Sequence, residues 1–270
     1  MPELPEVETI ARGLRRALVG AEIVAVEVRK AKMAQAPSGL DFARELRGER
    51  ILGVDRRAKY VTIALASGRS LVTSLRMTGR LVVQRPAEPD FPATYVVLVL
   101  ADGRRLAFAD VRTFGRMRLI EPNEAWDADL GPEPLGRAFT GERFGAILAK
   151  RRTPIKALLL DQRRVAGIGN IYACESLWLA GIRPSRPAGS LRGPARERLR
   201  RSIIDVLERA IEMRGTTVDD YVDAEGLKGG FQNALAVYGR LGEGCPRCGS
   251  PIRRTVIAGR GTWWCGQCQR

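Results

Sequence analysis

The hydrophobic and polar positions at the start of the chain follow a helical repeat. Over residues 3–18, acidic and basic residues are interleaved with apolar ones spaced three or four positions apart. Such spacing places the apolar side chains on one face of a helix. An amphipathic helix is therefore predicted directly after Pro2, where proline is tolerated. Its apolar face consists of Val7, Ile10, Leu14 and Leu18.

A strand-like pattern replaces this repeat in the next hundred residues. Short runs rich in β-branched and other apolar residues recur there, and glycine or proline turns separate several of them. Many short strands after one leading helix favour a β-sandwich or a barrel. The predicted strands cover residues 22–28, 59–65, 70–75, 80–84, 94–100, 105–109 and 116–120.

The character of the chain changes again at an acidic segment rich in proline and glycine, residues 121–137, which is typical of an interdomain linker. Helical patterns follow it, the first of them with Thr140 as a candidate cap. They cover residues 141–150, 154–163, 169–180 and 194–213. The predicted division is an N-terminal domain over 1–121, a linker over 122–137, a helical domain over 138–240 and a C-terminal segment over 241–270.

The charge of the chain indicates which class of partner it binds. The 270 residues carry a formal net charge of +15, which attracts polyanions, nucleic acid above all. A basic surface that is merely solvated is the alternative. The chain contains no histidine, which excludes catalytic triads and metal sites that need imidazole. Catalysis is left to carboxylates, lysine, hydroxyls, thiols or a terminal amine.

No apolar run is long enough to span a membrane, and the acidic N-terminus does not fit a signal peptide. We therefore expect an intracellular protein.

Four cysteines near the C-terminus have the spacing of a metal site. Two Cys-x2-Cys pairs are separated by 16 residues, and this spacing favours one tetrahedral structural zinc ion. Two disulfides are the alternative and are uncommon in an intracellular chain. The intervening residues predict a hairpin with Arg260 at its tip, whereas Cys174 lies in an apolar helical pattern typical of a core. The four candidate ligands are Cys245, Cys248, Cys265 and Cys268.

Two further segments have candidate chemistry. Removal of Met1 would expose the secondary amine of Pro2, a nucleophile when unprotonated, with Glu3 and Glu6 nearby to move protons. From these residues alone, an acidic helix start stabilised by the helix dipole is the better interpretation. In residues 153–172, a glycine turn opens a helix at Asn170, which fits either a phosphate site or an ordinary helix connection.

Eight further motifs are spread along nearly the whole chain. They are PELPEVE at the N-terminus, RRAKY (56–60), LRMTGRL (75–81), DVRTFGRM (110–117), PIKALLLDQ (154–162), VAGIGNIYACE (165–175), GFQNALAVYGR (230–240) and GRGTWWCGQCQ (259–269). Together they resemble the formamidopyrimidine-DNA glycosylases, bacterial enzymes that repair oxidised purines. The resemblance implies an α+β fold. Its N-terminal β-sandwich has a leading helix, and its C-terminal helical domain has a helix-two-turn-helix element and a β-hairpin zinc finger.

The resemblance also implies a reaction, and it reverses the interpretation of the N-terminus. Pro2 matches the family's nucleophile, which attacks C1′ of the damaged nucleotide, expels the base and forms a Schiff base. Glu3 matches the general acid/base, and Glu6 lies one helical turn further. Two eliminations then cut the strand on both sides of the lesion, with Lys59 assisting the first and Arg260 the second.

The implied partner is double-stranded DNA containing a damaged base, held in a basic cleft between the two domains of a monomer. The flipped nucleotide leaves a gap that an inserted triad fills. Residues 216–230 match a loop that closes over the flipped base. The resemblance also implies that the protein acts in the bacterial cytoplasm, in association with the nucleoid. Met77, Arg112 and Phe114 match the triad, and Arg151, Lys156, Asn170, Tyr238 and Arg260 match phosphate contacts.

The chain departs from the family at positions that often carry histidine, where it has Ser74, Ala93, Tyr95, Trp263 and Trp264. None of these is the implied nucleophile, acid or a zinc ligand. The alternatives are the sister family, endonuclease eight, which prefers oxidised pyrimidines, a non-catalytic zinc-finger DNA-binding protein, and a basic RNA-binding protein with a zinc ribbon. Pro2, Glu3 and Lys59 argue against both binding proteins, because simple binding does not need a free proline terminus.

Overall fold

The computed structural model describes residues 1–217 and 221–270. It divides the chain into two compact units. The first contains residues 1–128 and 213–230, and the second contains residues 129–212 and 231–270. The domain boundaries given above stay a prediction.

The first unit contains one long helix, one short helix and two sheets. Helix α1 (Leu4–Leu18) and helix α2 (Phe42–Leu46) accompany nine strands among the described residues of this unit. The strands are β1 (Ile23–Val28), β2 (Ala34–Gln35), β3 (Ile51–Arg57), β4 (Tyr60–Leu65), β5 (Ser70–Ser74), β6 (Gly79–Gln84), β7 (Thr94–Leu100), β8 (Arg105–Asp110) and β9 (Arg116–Ile120).

The two sheets share one core with α1. One sheet has the strand order β1-β7-β8-β6 and the other the order β2-β9-β5-β4-β3. Apolar side chains of both sheets join the apolar face of α1 in a single buried cluster. This confirms the predicted helix and the β-sandwich, because each element buries one face against the others. The α1 residues in the cluster are Val7, Ile10, Ala11, Leu14 and Leu18.

The second unit is helical and ends in a hairpin. Thr140 caps its first helix by accepting a hydrogen bond from the backbone N–H of Arg143, as the sequence predicted. A second cluster, which includes Cys174 and Ile252, packs the helices against the C-terminal finger. No helix among the described residues has the length and apolar character needed to cross a membrane. The elements are α3 (Gly141–Leu148), α4 (Ile155–Leu160), α5 (Asn170–Leu179), α6 (Gly193–Glu212), β10 (Ile252–Ile257) and β11 (Arg260–Cys265).

Candidate active site and zinc centre

The N-terminus lies buried at the start of α1. Pro2 is buried directly before the helix, and Glu3 is the N-cap residue with only 2% of its surface exposed. The backbone N–H of Glu3 donates to Glu6 Oε2 at 2.7 Å. Pro2 and Glu3 are thus adjacent residues held in one conformation, which suits a nucleophile and a proton donor that act on neighbouring atoms of one substrate.

Glu6 holds two backbone segments together. Its second oxygen, Oε1, accepts from the backbone N–H of Thr216 at 2.7 Å, and the side chain is 2% exposed. Gly215 has a φ of +81°, and a Cβ there would lie 2.8 Å from Glu6 Oε1. Both carboxylate oxygens of Glu6 therefore face backbone donors. This geometry favours a positioning role for Glu6 over the proton transfer considered from the sequence.

Lys59 lies in the tight turn between β3 and β4, beside Ala58, whose φ is +52°. Arg56 donates to the carbonyl oxygen of Ala58 at 3.1 Å and to Glu8 on α1 at 2.9 Å. Burial raises the pKa of Glu8, but hydrogen bonds from Arg12 and Arg56 more than offset this and hold the pKa below its usual value. An ion pair therefore ties the Lys59 turn to the helix that begins beside Pro2.

The candidate triad lies on two exposed turns of the first unit. Met77 is 38% exposed and Phe114 is 51% exposed, so neither is a core residue. The guanidinium of Arg112 lies over the Phe114 ring, 4.8 Å from its centroid. Val111 lies in the same turn and is 69% exposed, and the sequence analysis did not identify it as a candidate. Exposed apolar groups next to an arginine suit insertion into a base stack.

Lys156, expected from the sequence to contact phosphate, is completely buried in the second unit. Its ammonium donates to Asn170 Oδ1 at 2.6 Å, to the Gly261 carbonyl at 2.9 Å and to Thr262 Oγ1 at 2.7 Å. The Asn170 amide donates in turn to Gly261 O at 3.0 Å. These bonds join the start of α5 to β11, immediately after Arg260. The burial and bonding of Lys156 favour a role in positioning Asn170 and Arg260.

We predict that Lys156→Met lowers the free energy of unfolding by about 2 kcal/mol, because buried acceptors lose their donor while side-chain volume is conserved. Thermal melting measures the loss. Lys150→Met is the matched control, since Lys150 is exposed in the same unit. Its melting midpoint should barely move. Equal midpoints for the two variants would show that the buried ammonium does not stabilise this junction.

Tyr238 is held by a buried carboxylate. Glu175, 3% exposed, accepts from the backbone N–H groups of Ala236, Val237 and Tyr238 at 2.8, 3.0 and 2.8 Å. Burial raises the pKa of Glu175, although the three backbone donors act against this rise. The Tyr238 ring also packs against Trp263, with centroids 4.5 Å apart. Its hydroxyl is thereby carried on a backbone of fixed geometry.

Two further arginines predicted to contact phosphate lie on the surface of the second unit. Arg260 is exposed and is the first residue of β11, directly after the Ala258–Gly259 turn. This confirms the predicted hairpin and places Arg260 at its tip. Arg151 is exposed after α3, and its carbonyl accepts from Gly189 N–H at 2.8 Å. Both side chains are accessible to a polyanion.

The four C-terminal cysteines converge on one point. Their sulfur atoms lie within 4.8 Å of one another, with 3.9 Å between Cys245 and Cys268 and 3.5 Å between Cys248 and Cys265. Tetrahedral zinc with Zn–S bonds of about 2.3 Å needs sulfur atoms about 3.8 Å apart, so the cluster fits one structural ion. Cys174 is separate and fully buried, and burial raises its pKa to about 11, as suits a core cysteine.

Some residues that organise the site were not identified from the sequence. Thr78, Asp110 and Glu175 are buried or partly buried polar residues, and each has at least one partner more than 30 positions away along the chain. Their motifs were recognised, but no local pattern marks them as positioning groups. Residues 218–220 lie outside the described residues, so closure of the 216–230 loop over a flipped base stays a prediction.

Three family models match successive parts of the chain. Residues 1–117 match the formamidopyrimidine-DNA glycosylase N-terminal domain, and residues 130–222 match the formamidopyrimidine-DNA glycosylase H2TH domain. Residues 242–270 match a zinc finger found in FPG and IleRS. Together these matches account for the sandwich, the helices around α5 and the four-cysteine finger.

Whole-chain relatives agree with these matches. A formamidopyrimidine-DNA glycosylase of Moorella thermoacetica is 51% identical over 258 residues, 94% of each chain. The crystal structure of the MutM (Fpg) protein from Thermus thermophilus is 44% identical, with a TM-score of 0.88 over 99% of this chain and 98% of that one. A complex between Lactococcus lactis Fpg and abasic-site DNA is 37% identical, with a TM-score of 0.92 over 99% of each chain. This chain therefore belongs to the formamidopyrimidine-DNA glycosylase family.

Proposed function

We propose that this chain is a bifunctional DNA glycosylase and abasic-site lyase that removes oxidised purines, 8-oxoguanine and formamidopyrimidines, from double-stranded DNA. The observation that carries the proposal is the buried Pro2–Glu3 terminus, linked through α1 to the Lys59 turn. A DNA-binding protein without catalysis has no need for this arrangement. The substrate class follows from family membership and from the purine-enzyme motifs around Met77, Arg112 and Phe114.

In the proposed reaction, Met1 is first removed and the unprotonated amine of Pro2 attacks C1′ of the damaged nucleotide. The C1′–N bond to the base breaks, and the bonding electrons leave with the base, which takes up a proton. Glu3 moves protons at the sugar, and the C1′–nitrogen bond becomes an iminium after ring opening. Loss of a C2′ proton then expels the 3′ phosphate, and a second elimination expels the 5′ phosphate. Lys59 assists the first elimination and Arg260 the second.

Binding in this proposal uses both units of the chain. Arg260, Arg151, Asn170 and Tyr238 contact phosphates, which fixes the DNA but carries no base specificity. Lys156 and Glu175 are buried beneath these residues. Lys156 orients Asn170, and Glu175 orients the backbone of Tyr238. Met77, Arg112 and Phe114 occupy the space left by the flipped nucleotide. Because the proposed substrate is chromosomal DNA, we also propose that this chain acts at the bacterial nucleoid.

Zinc has a structural part in this proposal. The four cysteines leave no ligand position for substrate, so the bound ion would hold the finger folded and supply no chemistry to the reaction. The residues that depend on it are those of β10 and β11, including Arg260. The indole N–H of Trp178 donates to Cys245 Sγ at 3.4 Å and orients that ligand from α5.

Borohydride trapping tests the proposal. The Met-processed protein is incubated with an 8-oxoguanine duplex paired to cytosine, reduced, and mapped by mass spectrometry. A covalent DNA adduct on Pro2 is the expected result. An adduct only with an oxidised-pyrimidine duplex would move the activity to that of endonuclease eight. Tight DNA binding without an adduct on either duplex would contradict the enzyme assignment.

A further inference from the structure

The turns that carry the candidate triad are joined by one buried carboxylate. Asp110, at the end of β8, is 1% exposed. Its Oδ2 accepts from the backbone N–H of Gly115 at 2.7 Å, and its Oδ1 accepts from the backbone N–H of Arg112 at 3.2 Å. These bonds lie within the turn between β8 and β9, which carries Arg112 and Phe114. The third donor to this carboxylate is the hydroxyl of Thr78, which also bonds Oδ1 and follows Met77 in the turn between β5 and β6.

Thr78 therefore bridges the two turns. While its hydroxyl donates to Asp110, its oxygen accepts from the backbone N–H of Arg112 at 3.2 Å. One hydroxyl thus contacts both the carboxylate that organises the second turn and the backbone of a triad residue. Hydrogen bonds to a buried charge are among the stronger ones in proteins, so this link resists separation of the turns.

The backbone of both turns is held in an unusual conformation. Arg76 in one turn and Thr113 in the other each have a φ of +53°, a left-handed region that non-glycine residues seldom adopt. Such conformations persist only where surrounding contacts enforce them. Space is equally restricted, because a Cβ on Gly115 would lie 2.8 Å from both the Phe108 ring and the carbonyl oxygen of Ser74.

We propose that Thr78 and Asp110 are positioning residues that make the two turns one rigid wedge, so that Met77, Arg112 and Phe114 enter the DNA duplex as a unit. The proposal rests on the function proposed above and adds residues that do not touch the DNA. Without the Thr78 link, pairing of the flanking strands still keeps the two turns adjacent, but Met77 on one turn can move independently of the Arg112–Phe114 pair on the other. Each turn must then lose conformational entropy separately when its side chains enter the duplex. In the joined turns this entropy has already been lost on folding.

A purely structural role for Thr78 predicts something different. Loss of its hydroxyl would then reduce folding stability and affect every activity of the protein equally. A role in the wedge instead affects only steps that open a duplex. Cleavage of single-stranded abasic DNA distinguishes the two roles. This substrate has no damaged base to flip and no duplex in which a gap must be filled.

The test compares Thr78→Val with Thr78→Ser, which retains the hydroxyl, and with Thr62→Val, the same change on β4 away from both turns. One readout is the fluorescence of 2-aminopurine beside a tetrahydrofuran site in a duplex, at saturating protein. It reports wedge insertion and requires no catalysis. The other two are single-turnover excision of 8-oxoguanine from duplex DNA and cleavage of a single-stranded abasic oligonucleotide.

For Thr78→Val we expect a clear loss of the fluorescence rise and duplex excision slowed about tenfold, as for a lost hydrogen bond to a charged group. Single-strand cleavage should stay unchanged, Thr78→Ser should restore wild-type behaviour and Thr62→Val should match wild type. Equal loss on duplex and single strand, or no loss in fluorescence, would overturn the proposal. Thr78→Ala gives the same readouts if the valine variant does not fold. A wild-type protein that raises fluorescence but excises nothing would contradict the proposed function alone.

Discussion

Pro2→Gly is expected to reduce borohydride trapping and 8-oxoguanine excision by at least about 100-fold, because the variant loses the constrained secondary amine on which covalent catalysis depends. The new terminal glycine carries a primary amine on a flexible backbone, which does not hold its nitrogen in the geometry that proline enforces. The measurement is single-turnover excision together with adduct yield after reduction.

DNA binding should persist in the same variant. The proposed phosphate contacts of Asn170, Tyr238 and Arg260 belong to the second unit and are untouched by a change at Pro2. Fluorescence anisotropy with a duplex that contains a tetrahydrofuran site measures this affinity. Pro37→Gly, on a loop of the first unit, is the control for the general effect of removing a proline. Full strand cutting by Pro2→Gly would refute the assignment of Pro2 as the nucleophile.

The second large effect is expected at the finger. Cys265→Ser should lose its zinc and weaken DNA binding about 100-fold or more, since zinc binding contributes about 10–16 kcal/mol to the folding of such sites. Cys265 ends β11 and pairs with Ile252, so its loss releases the hairpin that begins with Arg260. Metal analysis by mass spectrometry and anisotropy with duplex DNA measure the two losses.

Cys174→Ala is the matched control for this variant. Cys174 is buried beside the finger but is not one of the four clustered thiols. Removing it deletes a buried sulfur without removing a ligand, so the zinc content should stay at one ion per chain. A Cys265→Ser protein with unchanged zinc would rule out ligation by all four cysteines.

Most secondary structure of the chain could be predicted from its sequence, and the omissions have clear causes. Helix α1 has a clear helical repeat, and strand β7 is a continuous run of β-branched and other apolar residues. Both were predicted at nearly their observed bounds. Strand β3 was missed because ILGVDRR lacks the alternation of a half-buried strand, and it lies at the edge of its sheet. Helix α2 was missed because five residues are too few to show a helical repeat.

The candidate site divides in the same way. The zinc ligands come from two short motifs, and their spacing alone indicates the metal. Pro2 and Glu3 were identified by resemblance, since their residue types equally fit an ordinary helix start. Lys156 was matched by resemblance to a phosphate contact, which stays a prediction. Its complete burial could not be predicted from the sequence, because its three partners lie on other segments that fold over it.

The sequence by itself determined the general features of this protein. It is a basic, histidine-free chain with an amphipathic first helix and a four-cysteine finger. These features depend on residue type and on spacings within a few tens of residues. Only the tertiary structure decided which polar groups are buried and what they hold. Glu6 meets Thr216 across 210 positions, Lys156 meets Thr262 across 106, and Thr78 meets Asp110 across 32. A buried polar group must find a partner wherever the fold provides one, and no local pattern encodes contacts at such separations.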